Sequence, residues 1–337
     1  MELMKLFPYE KQEATIFPQS IPWNIQIINT PSFWANKTKG NGAVAAVVDT
    51  GIDVNHCEFA GRIIDFKNFT KTDNKDTDGH GTHVAGIIGG NNIGVTPEAR
   101  VMALKVFGDV NVNANIHEAF LHILKYNETA KEEDKVIVVN CSFGGSYDGY
   151  MHYLIRRLIN SGVAVIVAAG NSGDGKADTI EFASYPSFLY EVITTGAVDK
   201  NGQPAGYSNT HDGIDIGAPG SEIYSAWSGG GYKLLSGTSM ATPHITGLYL
   251  LIAAAFRMRE GRYPTVAEGE SILFKHIRKV NIDPAFVGRG IADATYDTKR
   301  WPLYHVQVGA YFNRSGAEEI KVQVRTKGFD KAFIVTY

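Results

Sequence analysis

An α/β fold with a doubly wound, mostly parallel sheet and helices on both faces is the architecture this sequence predicts. Three observations predict it. Short runs rich in Val, Ile and Ala recur along the chain, segments of helical spacing lie between most of them, and 36 glycines supply tight turns. With 337 residues, 44% of them hydrophobic, the chain is long enough for one large domain of about 250 residues or more plus small terminal additions.

Residues 1–22 contain three prolines and no strand-helix alternation, so residues 1–21 read as an extended arm ahead of a core that begins near Pro22. The runs Ala43–Val48, Val101–Phe107, Val136–Val139, Val163–Ala169 and Val192–Val198 read as parallel strands buried on both faces. Between them, Ile116, Phe120 and Leu124 predict a helix over Asn113–Tyr126, and Leu154, Leu158 and Ile159 predict another over Tyr150–Ser161. This alternation implies right-handed crossovers and a functional site at the carboxyl ends of the strands. The longest apolar stretch, Ile245–Phe256, is short for a bilayer and reads as a buried core helix closing a domain of residues 22–300. Beyond Trp301-Pro302, Tyr304–Phe312 alternates like a strand, Ser315–Lys327 has helical character and Lys331–Thr336 reads as a second strand. Residues 301–337 are therefore expected to form a small βαβ appendage.

The formal net charge of -3 comes without a basic face or a run of like charge, which argues against nucleic acid or an anionic membrane as partner. The N-terminus lacks the apolar stretch and small-residue cleavage site of a secretory signal, so a cytoplasmic setting is expected. In that setting Cys57 and Cys141 read as reduced thiols.

Asp49 closes the strand-like run Ala43–Val48 and is followed by Thr50-Gly51, which puts a carboxylate at the carboxyl edge of the sheet. Further on, His80 stands between glycines and leads into small apolar residues suited to a tightly packed helix start. Ser239 stands at the mouth of the apolar helix, where the dipole and free N–H groups favour negative charge. Each has an ordinary structural explanation: a lone histidine is usually structural, and a serine at a helix start is usually a cap. Together they meet a chemical requirement, because a serine hydroxyl needs a histidine base and the histidine needs an orienting carboxylate. Asn171, at the end of the Val163–Ala169 run, adds a donor suited to an oxyanion.

The segments Val47-Val48-Asp49-Thr50-Gly51-Ile52-Asp53, His80-Gly81-Thr82-His83-Val84-Ala85-Gly86 and Gly237-Thr238-Ser239-Met240-Ala241-Thr242-Pro243-His244 resemble the three signatures of the subtilisin family of serine proteases, in the family's order. The resemblance spans roughly residues 22–296 and implies a serine endopeptidase acting on protein or peptide substrates through an acyl-enzyme, with no cofactor needed for the chemistry. On it, Ser239 attacks the scissile carbonyl, His80 takes and returns the proton, Asp49 holds His80, and Asn171 with the Ser239 N–H receives the oxyanion. His83 and His244 match structural positions. Ser142, Phe143, Gly144 and Gly145 look like the segment that pairs with substrate backbone. With Ala169, Gly170 and Ser184 they would wall the pocket for the residue before the cleaved bond, although Phe143 reads equally well as plain core. The pocket is expected to be neutral and to admit large apolar side chains.

One departure concerns metal. The stretch Ile87–Ile93 is shorter than the family's calcium-binding loop, and Glu58 stands where an aspartate ligand is usual. That site is expected to be absent, while structural calcium elsewhere, and hence the metal content, stays open.

Leu6-Phe7-Pro8-Tyr9 resembles the N-terminal motif of the intracellular subtilisins, whose arm lies across the active site; the other reading is a chance tetrapeptide in a tail. The resemblance implies an intracellular, self-inhibited zymogen and a homodimer, and cleavage is expected between Glu10 and Ser20, beyond the docked tetrapeptide and before the core. The C-terminal piece looks like the first half of a SPOR-type repeat, a module that binds peptidoglycan, and reads equally well as an oligomerisation or packing appendage. The rival function is a non-catalytic scaffold of the same shell that binds a cell wall through that piece.

Overall fold

The computed structural model describes residues 3–14, 21–181 and 184–297. The chain divides into two compact units, Met1–Arg300 and Trp301–Tyr337, and the second lies outside the described residues. So do the expected βαβ appendage and the partners assigned to it.

In chain order the first unit begins with strands β1 (Lys5–Leu6) and β2 (Glu10–Ala14) and helices α1 (Trp23–Ile27) and α2 (Thr30–Asn36). Next come β3 (Val44–Asp49), β4 (Ile63–Asn68), α3 (His80–Gly89), β5 (Arg100–Lys105) and α4 (Val112–Thr129). The middle of the chain forms β6 (Val136–Cys141), β7 (Phe143–Gly144), α5 (Gly149–Asn160), β8 (Ala164–Ala168), β9 (Ile193–Val198) and β10 (Ile216–Pro219). The rest is β11 (Ile223–Trp227), β12 (Gly231–Ser236), α6 (Thr238–Glu260), α7 (Val266–Leu273), β13 (Ile277–Arg278), α8 (Pro284–Val287) and β14 (Ile291–Ala292).

The main sheet has the order β13-β14-β10-β9-β8-β6-β3-β5-β4, and its described pairs are parallel except β13 with β14. All six residues of β3 are buried, as a strand covered on both faces requires. Val44, Ala46 and Val48 join the core beneath α4 and α5, so the alternate Ala45 and Val47 face the side packed by α3 and α6. From β3 the chain builds β4 and β5 to one side and then crosses to β6 on the other. Asp49, at the carboxyl end of β3, therefore sits where the strand order reverses, the usual crevice of an open α/β sheet.

All five strand runs and both helical segments expected from the sequence form. Their ends move by at most three residues. The apolar stretch Ile245–Phe256 is part of a longer helix. Small residues on its N-terminal side continue it to Thr238, and its 23 residues are long and apolar enough to cross a bilayer. The apolar window of α6 is wholly buried in the protein, so burial, rather than shortness, makes it a core helix.

Pro243 lies inside α6. Lacking an N–H, it leaves the Ser239 carbonyl without its usual helical donor, and Ser142 Oγ donates to that carbonyl at 3.0 Å. A sequence-local defect thus ties the start of α6 to the segment after β6.

The N-terminal segment is more ordered than an extended arm. β1 pairs antiparallel with β7 in the register Lys5–Gly144 and Leu6–Phe143. β2 pairs antiparallel with β12, from Glu10–Ser236 to Ala14–Tyr232, as the third strand of the β11-β12-β2 sheet. The expected cleavable stretch from Glu10 is corrected accordingly: Glu10–Ala14 is occupied by strand pairing, and only residues 15–20, outside the described residues, remain between it and Ile21.

Candidate active site

Asp49 is fully buried, and its Oδ1 accepts from the Thr50 N–H at 2.7 Å. The same oxygen lies 2.8 Å from His80 Nδ1. A carboxylate can only accept, so Nδ1 carries the proton and Nε2 is the basic nitrogen. His80 is the first residue of α3, entered through Gly79 at φ +92°; a Cβ on Gly79 would lie 2.4 Å from the Trp227 ring. Burial alone would lower the His80 pKa, but the Asp49 carboxylate beside it, through charge and hydrogen bond, raises it, with Asp78 and Asp76 adding to the effect.

Asp76 is a site residue the sequence reasoning missed. Its two oxygens accept from Thr50 Oγ1 at 2.8 Å, Gly79 N at 2.8 Å, Thr82 N at 2.9 Å and Thr82 Oγ1 at 2.6 Å. One buried carboxylate thereby fastens the end of β3 to the start of α3 and fixes the Asp49–His80 distance. Its signal in sequence is only an aspartate shortly before the histidine, which many surface turns share.

Ser239 is fully buried at the second position of α6. Its Oγ donates to the Ser142 carbonyl at 3.1 Å, while His80 Nε2 has no hydrogen-bond partner among the described residues. Ser239 and His80 are thus both at the crevice, and no hydrogen bond joins them in this structure. Asn171 follows β8, and its Oδ1 accepts from Thr238 N at 2.8 Å and Thr238 Oγ1 at 2.7 Å. With the oxygen so held, the amide must turn Nδ2 outward. Nδ2 donates to the Pro8 carbonyl at 2.7 Å.

The remaining expected residues line the same crevice. Ser142, Phe143 and Gly144 run from β6 into β7, and Gly145 N–H donates to the Tyr185 carbonyl at 2.9 Å. Phe143 is fully buried, with Phe107 edge-on at 5.7 Å, so its side chain belongs to the core while its backbone pairs with the arm. Gly144 has no room for a Cβ: the Phe7 ring would lie 2.4 Å away and Ser184 Cβ 2.8 Å away. Gly170, at φ +114°, is similarly closed by Asn209, while Ala169 is buried and bonds back to the Thr195 carbonyl.

Leu6, Phe7, Pro8 and Tyr9 pass through this crevice. Leu6 is backbone-paired, Phe7 is buried beside Gly144 and Ser184, and the Pro8 carbonyl takes the Asn171 donor. The Tyr9 ring lies 5.0 Å from the His80 ring, and its hydroxyl donates to Asp78 Oδ1 at 2.8 Å.

Two further histidines flank the site. His83 is lowered to about 3 by burial and by the nearby His80, and His244 to about 4 by burial; both are neutral and held by backbone carbonyls. Among the described residues no group of three or more His, Cys, Asp or Glu side chains is placed to hold a metal ion. At the shortened loop the Glu58 carboxylate accepts from Asn92 N, Asn92 Nδ2 and Tyr232 Oη. The Arg62 guanidinium donates to the carbonyls of Glu58 and Gly89. These oxygens are already engaged by donors of the chain itself. Cys57 is exposed and Cys141 buried, and neither forms a disulfide.

Comparison with known proteins bears on the whole of this arrangement. Residues 40–280 match the model of a family described as the subtilase family. The chain is 34% identical to the intracellular serine protease of Paenibacillus polymyxa over 317 residues, covering 88% of this chain and 94% of that protein. It is 34% identical over 299 residues to the major intracellular serine protease of Bacillus subtilis strain 168, covering 85% and 92%. It is also similar to proteinase T of Parengyodontium album, at 35% identity over 238 residues, covering 68% and 79%.

Proposed function

The chain belongs to the subtilase family and is a subtilisin-like serine endopeptidase, and from that premise we propose that Asp49, His80 and Ser239 are its charge-relay residues, held in check by the chain's own N-terminal arm. Ser239 Oγ turns from the Ser142 carbonyl to His80 Nε2, gives up its proton there and attacks the carbonyl carbon of the bound peptide. Asp49 keeps the ring oriented and steadies the imidazolium. Asn171 Nδ2 and the Ser239 N–H take the negative charge on the tetrahedral oxygen. His80 then protonates the leaving amine, and water repeats the sequence on the acyl-enzyme.

The observation that carries this reading is the Asn171 amide. Its oxygen is fixed by Thr238, and its free N–H points at a peptide carbonyl lying in the crevice. That carbonyl belongs to the arm, which supports self-inhibition. Phe7 fills the pocket beside Gly144, yet the carbonyl at the donor is that of Pro8, one residue later. A substrate cut at its pocket residue presents that residue's own carbonyl to the donor. The arm is one position out of register, and Pro8, with its fixed φ and no N–H, holds it so. Tethering keeps the arm in competition at an effective concentration that reaches the millimolar range. The names of the two bacterial relatives support a cytoplasmic setting.

Deletion of residues 1–18 is expected to give hydrolysis of a peptide substrate without a lag, while the full chain starts slowly and accelerates as mass spectrometry shows loss of its N-terminus after Ala14. Ser239→Ala should abolish both. Equal initial rates for the deleted chain and the intact full chain would sink the self-inhibition. A deleted chain that neither hydrolyses peptides nor reacts with a fluorophosphonate probe would favour a non-catalytic scaffold.

A further inference from the structure

The arm is gripped on one edge by the backbone of β7 and, near its start, by the side chain of Asn113. Met4 N–H donates to Asn113 Oδ1 at 2.9 Å, from a buried asparagine in the first turn of α4. The orientation of this amide is decided by what lies behind it. Asn113 Nδ2 donates to Asp148 Oδ2 at 2.9 Å, and His117, one turn further along α4, lies 3.0 Å from the same oxygen. Asp148 Oδ1 caps α5 by accepting from the Tyr150 and Met151 N–H groups at 3.0 and 2.9 Å. Burial works against the Asp148 charge, but the Met151 N–H, Asn113 and His117 outweigh it and keep the carboxyl below its ordinary range. A carboxylate cannot donate, so Asn113 must turn its NH₂ inward and its carbonyl oxygen toward the crevice. The result is an acceptor preset for one backbone N–H.

We propose that Asn113 is a substrate-binding residue that reads the main chain of extended polypeptides, with Asp148 as its positioning residue. Its Oδ1 accepts the N–H of the substrate residue three places before the one in the pocket beside Gly144, as Met4 stands to Phe7. This rests on the reading that the arm lies in the crevice as a substrate does. The consequence is a preference for substrates that extend to that residue and carry an amide there.

The test compares two chromogenic substrates, acetyl-Ala-Ala-Ala-Phe-p-nitroanilide and its analogue with L-lactate for the first alanine, which replaces the one N–H by an ester oxygen. Each is assayed on the full chain after it reaches a constant rate. One hydrogen bond corresponds to a preference of about 3–10-fold in kcat/KM for the amide, read mainly in KM. Asn113→Ala should bring the amide-to-ester ratio close to one, and Asp148→Asn, which keeps an α5 cap but frees the Asn113 amide to turn, should lower it part of the way. Each variant is its own reference, so an altered folded fraction cancels. The same ratio in wild type and Asn113→Ala would overturn the proposal, as would a wild-type ratio near one, which would also mean the arm does not lie as a substrate does. Hydrolysis of neither substrate by any form would overturn the protease reading along with it.

Discussion

At His80, burial and charge oppose each other, and charge prevails. The ring is fully buried, yet Asp49, Asp78 and Asp76 raise its pKa above the ordinary 6.5. A general base must be neutral, so on the proposed role of His80 the acid limb of kcat/KM, once the arm is removed, is expected above the usual histidine range. Asp78 is the contributor that can be removed without touching the Asp49 bond. In Asp78→Asn the limb should move to lower pH, and a limb at the same pH would show that Asp78 charge does not reach the ring. The positions of Asp49, His80, Ser239 and Asn171 were legible in the sequence, because each stands where a strand ends or a helix begins and the local pattern shows that. Asp76, Thr238 and Asn113 were not. Their contacts reach partners 26, 67 and 109 positions away, and no local pattern reports such a partner.

Among the elements, the loop after α3 shows how the chain closes a turn with its own cation. Arg62 donates to the carbonyls of Glu58 and Gly89 and reaches that of Ala99 at 3.5 Å. Gly89 ends α3, so its carbonyl has no donor within the helix, while the Glu58 carbonyl also accepts from the Asn91 N–H at 3.1 Å. Arg62→Ala should therefore cost about 1–3 kcal/mol. The loss is best read as a lower urea midpoint in a Ser239→Ala background, where self-digestion is absent. Arg62→Lys should recover little of it, because one ammonium cannot span two carbonyls as a guanidinium does. An unchanged midpoint in Arg62→Ala would mean that water satisfies these oxygens equally well. Strands missed in the sequence, among them β4, β10, the β11-β12 pair and the two-residue β13 and β14, have mixed or short apolar patterns. They gain their stability from neighbours in the sheet, which local periodicity does not contain.

For the molecule as a whole, the neutral buried histidines set an acid limit to stability. His83 and His244 hold depressed folded pKa values of about 3 and about 4, against 6.5 unfolded, with His211 lowered in the same sense by burial. Such groups contribute stability above the unfolded pKa and lose it as pH falls, because the unfolded chain takes up protons that the folded chain refuses. His80 has the opposite sign, but below 6.5 its contribution is constant. Between pH 6 and pH 5 His83 and His244 should therefore each cost about 1 kcal/mol, and His211 acts in the same direction. Asp215 and Glu270, whose carboxyls burial raises, oppose the loss in part. Urea unfolding of Ser239→Ala at the two pH values should show a clear fall in midpoint. Equal midpoints would mean that these rings gain protons in the folded protein.

By itself the sequence determined the five central strands of the layered core, the helices α4, α5 and α6, and which residues stand at their ends. Both follow from neighbours along the chain: burial on two faces leaves an unbroken apolar run, as in Val44–Val48, and a helix start needs a particular local conformation, as at Gly79-His80. The motif Leu6–Tyr9 marked the arm as belonging to the crevice. Only the tertiary structure decided how the arm lies there: Phe7 beside Gly144, the Pro8 carbonyl on Asn171, the Met4 N–H on Asn113, and Glu10–Ala14 added to β12. Register between segments far apart in sequence is set by through-space hydrogen bonding and by which side chains fit beside which glycines. Folding has to bring those partners together before either can be read.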